Sequence, residues 1–181
     1  MTNRWIVTAL GKDRPGIVAG VTEVLYKLGC NLEDSAMTRL EGEFAIMLIF
    51  SSPATVSAEK LRKAFDVLEQ KLKLAIHLKP LTAQETSKPR ARGKTYRISV
   101  YGADRSGIVF QVSQVLARQG VNITDVHTHR SIGGKPFLYL MLLEVEVPTR
   151  LRLASLEHQL RQLAKRLGVE VSVRPTETNV L

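Results

Sequence analysis

With Cys30 as its only cysteine, this chain of 181 residues can form no intrachain disulfide and no cysteine cluster for zinc. No apolar run approaches the roughly 18 residues of a membrane span. The opening Met1-Thr2-Asn3-Arg4-Trp5 passes straight into a strand-like pattern, without the apolar region of a signal peptide. The expected compartment is therefore the cytoplasm, with no membrane partner. Three catalytic signatures are also missing: there is no G-x-x-x-x-G-K, no G-x-S-x-G and no H-E-x-x-H. A non-enzymatic protein without cofactor or metal is the reading these absences favour.

What is present in excess is positive charge, at +9. Residues 1–80 carry a net +2, residues 81–95 carry +3, and residues 96–181 carry +4. The excess is spread thinly and peaks in a short polar stretch. A nucleic-acid binder more often gathers its charge on one face or arm. Weak, nonspecific contact with nucleic acid is compatible with this distribution; specific recognition of nucleic acid by the chain alone is not expected.

The dominant feature is a repeat. Gly11-Lys12-Asp13-Arg14-Pro15-Gly16-Ile17-Val18 returns 91 residues later as Gly102-Ala103-Asp104-Arg105-Ser106-Gly107-Ile108-Val109. Carried without gaps from Gly11 to Asp34, the register gives 12 identities in 24 positions. Unrelated segments would share about one or two at average residue usage. The chain is a tandem duplication of two small units, which would gain by packing against each other.

Each copy reads as β-α-β-β-α-β, an α+β fold of two ferredoxin-like domains with antiparallel sheets and helices on one face. In the first copy, Trp5 to Leu10 is a strand and Pro15 to Leu28 a helix. Ile17, Val18, Val21, Val24, Leu25 and Leu28 form the helix's apolar face, and Gly29 stops it. Strands at 31–40 and 43–51 flank a Glu41-Gly42 turn. A second helix begins at Ser57 as N-cap, and Ala75 to Leu81 closes the unit. In the second copy the strands are Tyr96–Tyr101, Asn122–Ser131, Phe137–Val147 and Val169–Val173, with a turn at Gly133-Gly134. Its helices span Ser106 to Gln119 and a leucine row from Leu153 to Leu167, each stopped by a glycine. Residues 1–81 and 95–181 are the expected domains, and 82–94, polar and holding Pro89 and Gly93, the linker.

The loop from Gly11 to Gly16 joins a strand end to a helix N-terminus, where free N–H groups and the helix dipole favour an anion. Gly16 permits close approach to the backbone, Asp13 adds a carboxylate, and Asn31 is expected to return near the loop. A carboxylate receptor beside an ammonium receptor suits a free α-amino acid. Asp104, Gly107 and Asn122 repeat the set. The same residues also admit a structural reading, with Asp13 capping the helix and Asn31 stabilising a turn.

The pattern D-R-[PS]-G-I-V, then a helix, Gly, and Asn-[LI], resembles the ACT domain, a regulatory amino-acid-binding module. Both halves match. The resemblance implies domains paired side by side, with ligands at the first loop and helix. Carried over residue by residue, it marks Asp13, Gly16, Ile17 and Asn31, then Asp104, Gly107, Ile108 and Asn122. Pro15 is Ser106 in the second copy, so the two loops are not chemically identical.

For two such domains with no enzyme attached, the resemblance implies an amino-acid-sensing regulator. It is expected to repress transcription of glycine-cleavage type through a DNA-binding protein partner. Glycine or a similar small amino acid is the expected ligand, and homo-oligomers are compatible with this class. The alternatives are a regulatory subunit of an amino-acid enzyme and a basic RNA- or DNA-binding protein.

Three further features have two readings each. His127 and His129 share a strand face but lack an evident third metal ligand, so surface histidines are favoured. Phe137 and Tyr139 sit where related topologies stack bases, but the first copy's Phe44 to Phe50 is apolar on both faces, favouring packing. Arg14 and Arg105 either reach an anion or a partner or are solvated charges.

Overall fold

The computed structural model of the chain describes residues 2–82, 93–131 and 137–176. Most of the expected linker and the Gly133-Gly134 turn lie outside the described residues. The chain divides into two compact units, Met1–Lys88 and Pro89–Leu181. In the first, the elements are β1 (Thr2–Lys12), α1 (Ile17–Lys27), β2 (Asn31–Leu40), β3 (Glu43–Pro53), α2 (Ala58–Leu72) and β4 (Ala75–Leu81). In the second they are β5 (Gly93–Ala103), α3 (Ile108–Arg118), β6 (Asn122–Arg130), β7 (Leu138–Pro148), α4 (Leu153–Leu167) and β8 (Val169–Pro175). Both sheets are antiparallel, ordered β2-β3-β1-β4 and β6-β7-β5-β8. Two ferredoxin-like βαββαβ domains are thus present, as the duplication predicted.

In the first unit, alternation along β1 and β3 sends Val7, Ala9, Ile46, Leu48 and Phe50 to one sheet face. There they meet Ile17, Val21 and Leu25 of α1 and Leu61 and Phe65 of α2, all buried. Trp5 joins this core, and its indole Nε1 donates to Ser52 Oγ at 3.0 Å. Ser52 is the only buried polar residue among those described. The second unit repeats the scheme with Ile98, Val100, Met141, Leu143 and Val145 beneath α3 and α4. Four of the five leucines in the α4 row are buried in this core, which accounts for their spacing.

Local signals explain the boundaries. Glu41 and Gly42 both take positive φ, 51° and 80°, as a two-residue hairpin turn of matching twist requires. The Ser57 hydroxyl accepts from the Lys60 amide at 3.2 Å, capping α2. After α1, Cys30 N donates to Leu25 O and Gly29 N to Tyr26 O, a Schellman closure that Val121 and Gly120 repeat after α3.

Several expectations are corrected. Pro15 does not enter α1; the helix begins at Ile17, because Gly16 at φ 94°, ψ −7° fits the third position of a type II turn, with Pro15 before it. Gly107 takes φ 90°, ψ 1° in the same place, so this turn needs the glycine and tolerates Ser106 for Pro15. Val18 is 41% exposed rather than part of the buried face, as is Val109. The sheet face away from the helices carries Leu10 at 52% and Met47 at 45% exposure, so β3 is apolar on both faces without being covered on both. Phe137 precedes β7, exposed, with the Arg130 guanidinium 4.9 Å above its ring, while Tyr139 packs against the core. Gly93 and Lys94, expected in the linker, already belong to β5, opposite Pro148 and Val147.

Candidate functional site

The β1–α1 loop is held at three points. Gly11 brings the end of β1 against the α2–β4 turn: a Cβ there would lie 2.7 Å from Leu74 Cδ2 and 3.2 Å from Lys73 O. Gly102 plays the same part against Val169. Two residues on, the Asp13 amide donates to Gly42 O at 2.9 Å, tying the loop to the β2–β3 hairpin; Asp104 N bonds Phe137 O at 2.8 Å. The third tether is Arg14, whose guanidinium donates to Leu72 O at the end of α2. It satisfies a carbonyl that the helix itself leaves unpaired. In the second unit the Arg105 guanidinium lies 3.7 Å from where a Cβ would sit on Gly168, at the end of α4. Arg14 thus serves the fold, whereas Arg105 is exposed beside the end of α4.

Asp13 does not cap α1. The N-cap is Gly16, without a side-chain hydrogen bond, and α3 likewise begins bare at Gly107. The Asp13 carboxylate turns to β2, where Oδ2 is 3.3 Å from Arg39 Nη1. Asp104 Oδ2 is 3.7 Å from Arg130 Nη1. Beside Asp13 lies an open depression of about 520 Å³, lined by residues 13–19 together with Met37, Arg39 and Phe44. It offers a carboxylate, a guanidinium, uncapped N–H groups at a helix start that carries no acidic residue, and apolar walls from Ile17, Val18, Met37 and Phe44. Those are the contacts a zwitterion with a small side chain can use. A second depression, of about 530 Å³, lies among Thr2–Trp5, Ala54 and Val56–Ala58, but its one charged group, Arg4, is already paired with Glu33 at 2.6 Å.

Asp13, Gly16 and Ile17 are brought together; Asn31 is not. Asn31 pairs with Ser51, which faces Arg4, whereas Asp13 follows Lys12 at the other end of β1. Eight strand residues lie between these ends, about 27 Å. The reason is topological: α1 runs back along the sheet and delivers the chain to the starting end of β1. Asn122 is displaced from Asp104 in the same way, opposite Glu146 and Thr95. The expected meeting of Asp and Asn beside one loop therefore does not occur within either unit.

Sequence reasoning missed Arg39 and Arg130. A signal existed, since the 91-residue register that pairs Asp34 with Asp125 also pairs Arg39 with Arg130. Of the two histidines, His127 is 3.0 Å from Asp125, and no group of three or more metal-binding side chains occurs among the described residues. Partial burial pushes the Cys30 thiol above its ordinary value, away from reactive thiolate.

Twice-repeated βαββαβ units, each with a tethered, uncapped loop at its first helix, define a tandem ferredoxin-like protein. The ACT domain family model matches residues 3–79 and 95–174, and the chain belongs to that family. A UPF0237 protein of Streptococcus mutans is 38% identical over 73 residues, 40% of this chain and 83% of the relative. The glycine cleavage system transcriptional repressor of Escherichia coli is 46% identical over 46 residues, 25% of this chain and 24% of the relative. The crystal structure of an unknown protein from Galdieria sulphuraria matches 97% of this chain and 99% of its own, at 27% identity and a TM-score of 0.80. This is an ACT-domain regulatory protein. Among the described residues no helix is long and apolar enough to cross a membrane.

Proposed function

We propose that the chain senses a small amino acid, glycine or one close to it, and relays its presence to a protein partner in the cytoplasm. The observation that carries this reading is the recurrence, in both copies, of an aspartate beside an arginine next to an uncapped helix start. In this arrangement Asp13 receives the ligand ammonium, while Arg39 and the α1 N–H groups receive its carboxylate. Asp104, Gly107, Ile108 and Arg130 form the second site. Thr128 and Tyr139 there replace Met37 and Phe44, so the two affinities differ.

The partner is a DNA-bound transcription factor and the outcome is repression of glycine-cleavage type. The local similarity to the Escherichia coli repressor supports this. Among the described residues the four helices all cover their sheets, and no two of them are arranged as a helix-turn-helix. The ligand controls the complex by binding the free and partner-bound forms with different affinity; a tenfold effect needs about 1.4 kcal/mol of coupling. Affinity capture from the native organism, with and without added amino acids, tests the reading. It expects a transcription factor whose recovery changes with amino acid. Recovery of a metabolic enzyme instead would move the role to enzyme regulation.

A further inference from the structure

We propose that one end of the second unit, bearing Lys94, Arg118, Arg150 and Arg152, is a contact surface for the phosphodiester backbone of double-stranded nucleic acid. The four converge through the fold. Lys94 is the second residue of β5, opposite Val147, one residue before Pro148 and the turn that holds Arg150. Arg118 ends α3, and the Arg150 guanidinium lies 3.6 Å from where a Cβ would sit on Gly120, just past that helix. Arg152 is the N-cap residue of α4, two residues after Arg150, and the Gln119–Gln159 hydrogen bond at 3.0 Å ties the end of α3 to the middle of α4. All four side chains are exposed, and none has an ion-pair partner among the described residues.

The first copy shows that the fold does not require this charge. Its equivalent positions are Asn3, Lys27, Thr55 and Ser57, and Lys27 is neutralised by Glu23 at 2.6 Å. The exchange of Ser57 for Arg152 is the most telling. Ser57 caps α2, whereas α4 starts with no side-chain cap, no acidic residue in its first turn, and a cation at the positive end of its dipole. Local rules of helix stability are broken on all three counts, as happens where a surface serves something other than folding.

Chemistry selects the partner. Arginine forks match phosphate oxygens. Among the described residues of the second unit, none of the exposed large apolar ones, Tyr101, Val109, Phe110, Val126, Phe137, Leu138 and Leu142, lies at this end. A protein interface would need such anchors at its centre, and a lipid surface would need something to insert. Backbone phosphate needs only the charge, and it is read without regard to sequence.

The full chain is titrated with a labelled DNA duplex of about 30 base pairs at several salt concentrations, against the variant Lys94→Gln/Arg118→Gln/Arg150→Gln/Arg152→Gln. The control is Lys60→Gln/Arg62→Gln/Lys165→Gln/Arg166→Gln, with equal charge loss elsewhere. The expected result is a log–log salt slope of about −3 to −4 for the native chain, reduced by about 3 in the first variant and little changed in the control. Arg152→Ser alone should lower the slope by about 1 while raising the unfolding temperature, because serine restores the cap. Equal losses in the two quadruple variants, or no native binding at low salt, overturn the proposal. So does a preference for phosphatidylserine vesicles or polyglutamate over the duplex.

Discussion

Asp13 and Arg39 meet at 3.3 Å across the mouth of the first loop, although 26 residues and two elements separate them in the chain. The Arg39 side chain is 69% exposed and that of Asp13 33%. A pair so open to water contributes little to folding, about 0–1 kcal/mol. It is well placed to exchange one partner for a ligand.

Arg39→Ala should therefore shift unfolding free energy by no more than about 0.5 kcal/mol. In the same variant, affinity for an amino acid at the first site should fall by about 1.5–3 kcal/mol, the range for a hydrogen bond to a charged group. Urea unfolding and calorimetric titration of one preparation measure both. A large stability loss with unchanged affinity would assign Arg39 to the fold alone.

Ser52→Ala leaves the Trp5 indole N–H without its acceptor in the first core. The cost should be about 1–3 kcal/mol. Because Trp5 is the only tryptophan in the chain, its fluorescence during denaturation reports this unit directly.

Loss of a cap should be visible at Ser57. Ser57→Ala removes the acceptor for the Lys60 amide, and about 1 kcal/mol of stability should go with it. Ser57→Asp should retain most of that, since aspartate caps as well and favours the helix start.

The glycines near the ends of β1 and β5 should respond unequally to alanine. At Gly11 the nearest contact is the end of the Leu74 side chain, whereas at Gly102 a Cβ would lie 2.9 Å from the Val169 backbone Cα. A flexible side chain yields and a strand backbone does not. Gly102→Ala should cost about 1–3 kcal/mol and Gly11→Ala less, by thermal unfolding.

The order of elements was legible because each rests on local chemistry: Glu41-Gly42 for the hairpin, Ser57 for the start of α2, Gly29 and Gly120 for the ends of the first helices. Asp13, Gly16 and Ile17 were legible as neighbours because they are contiguous. What the sequence hid depends on direction and reach. Asn31 follows α1 closely, yet a helix antiparallel to β1 carries it to the far end of the sheet. Pro15 suits a first helical turn and a type II turn alike, and the left-handed Gly16 decides between them only in the folded chain. Arg39 was overlooked because the repeat that pairs it with Arg130 does not say that the strand's far end reaches the loop.

Both loops are proposed to bind a free amino acid, and calorimetric titration of the full chain with glycine and the other common amino acids decides this. Saturable binding is expected, weakened by about 1–3 kcal/mol at the first site in Asp13→Ala, at the second in Asp104→Ala, and at both in the double variant. Absence of binding to every amino acid, or unchanged affinity in the folded double variant, would contradict it.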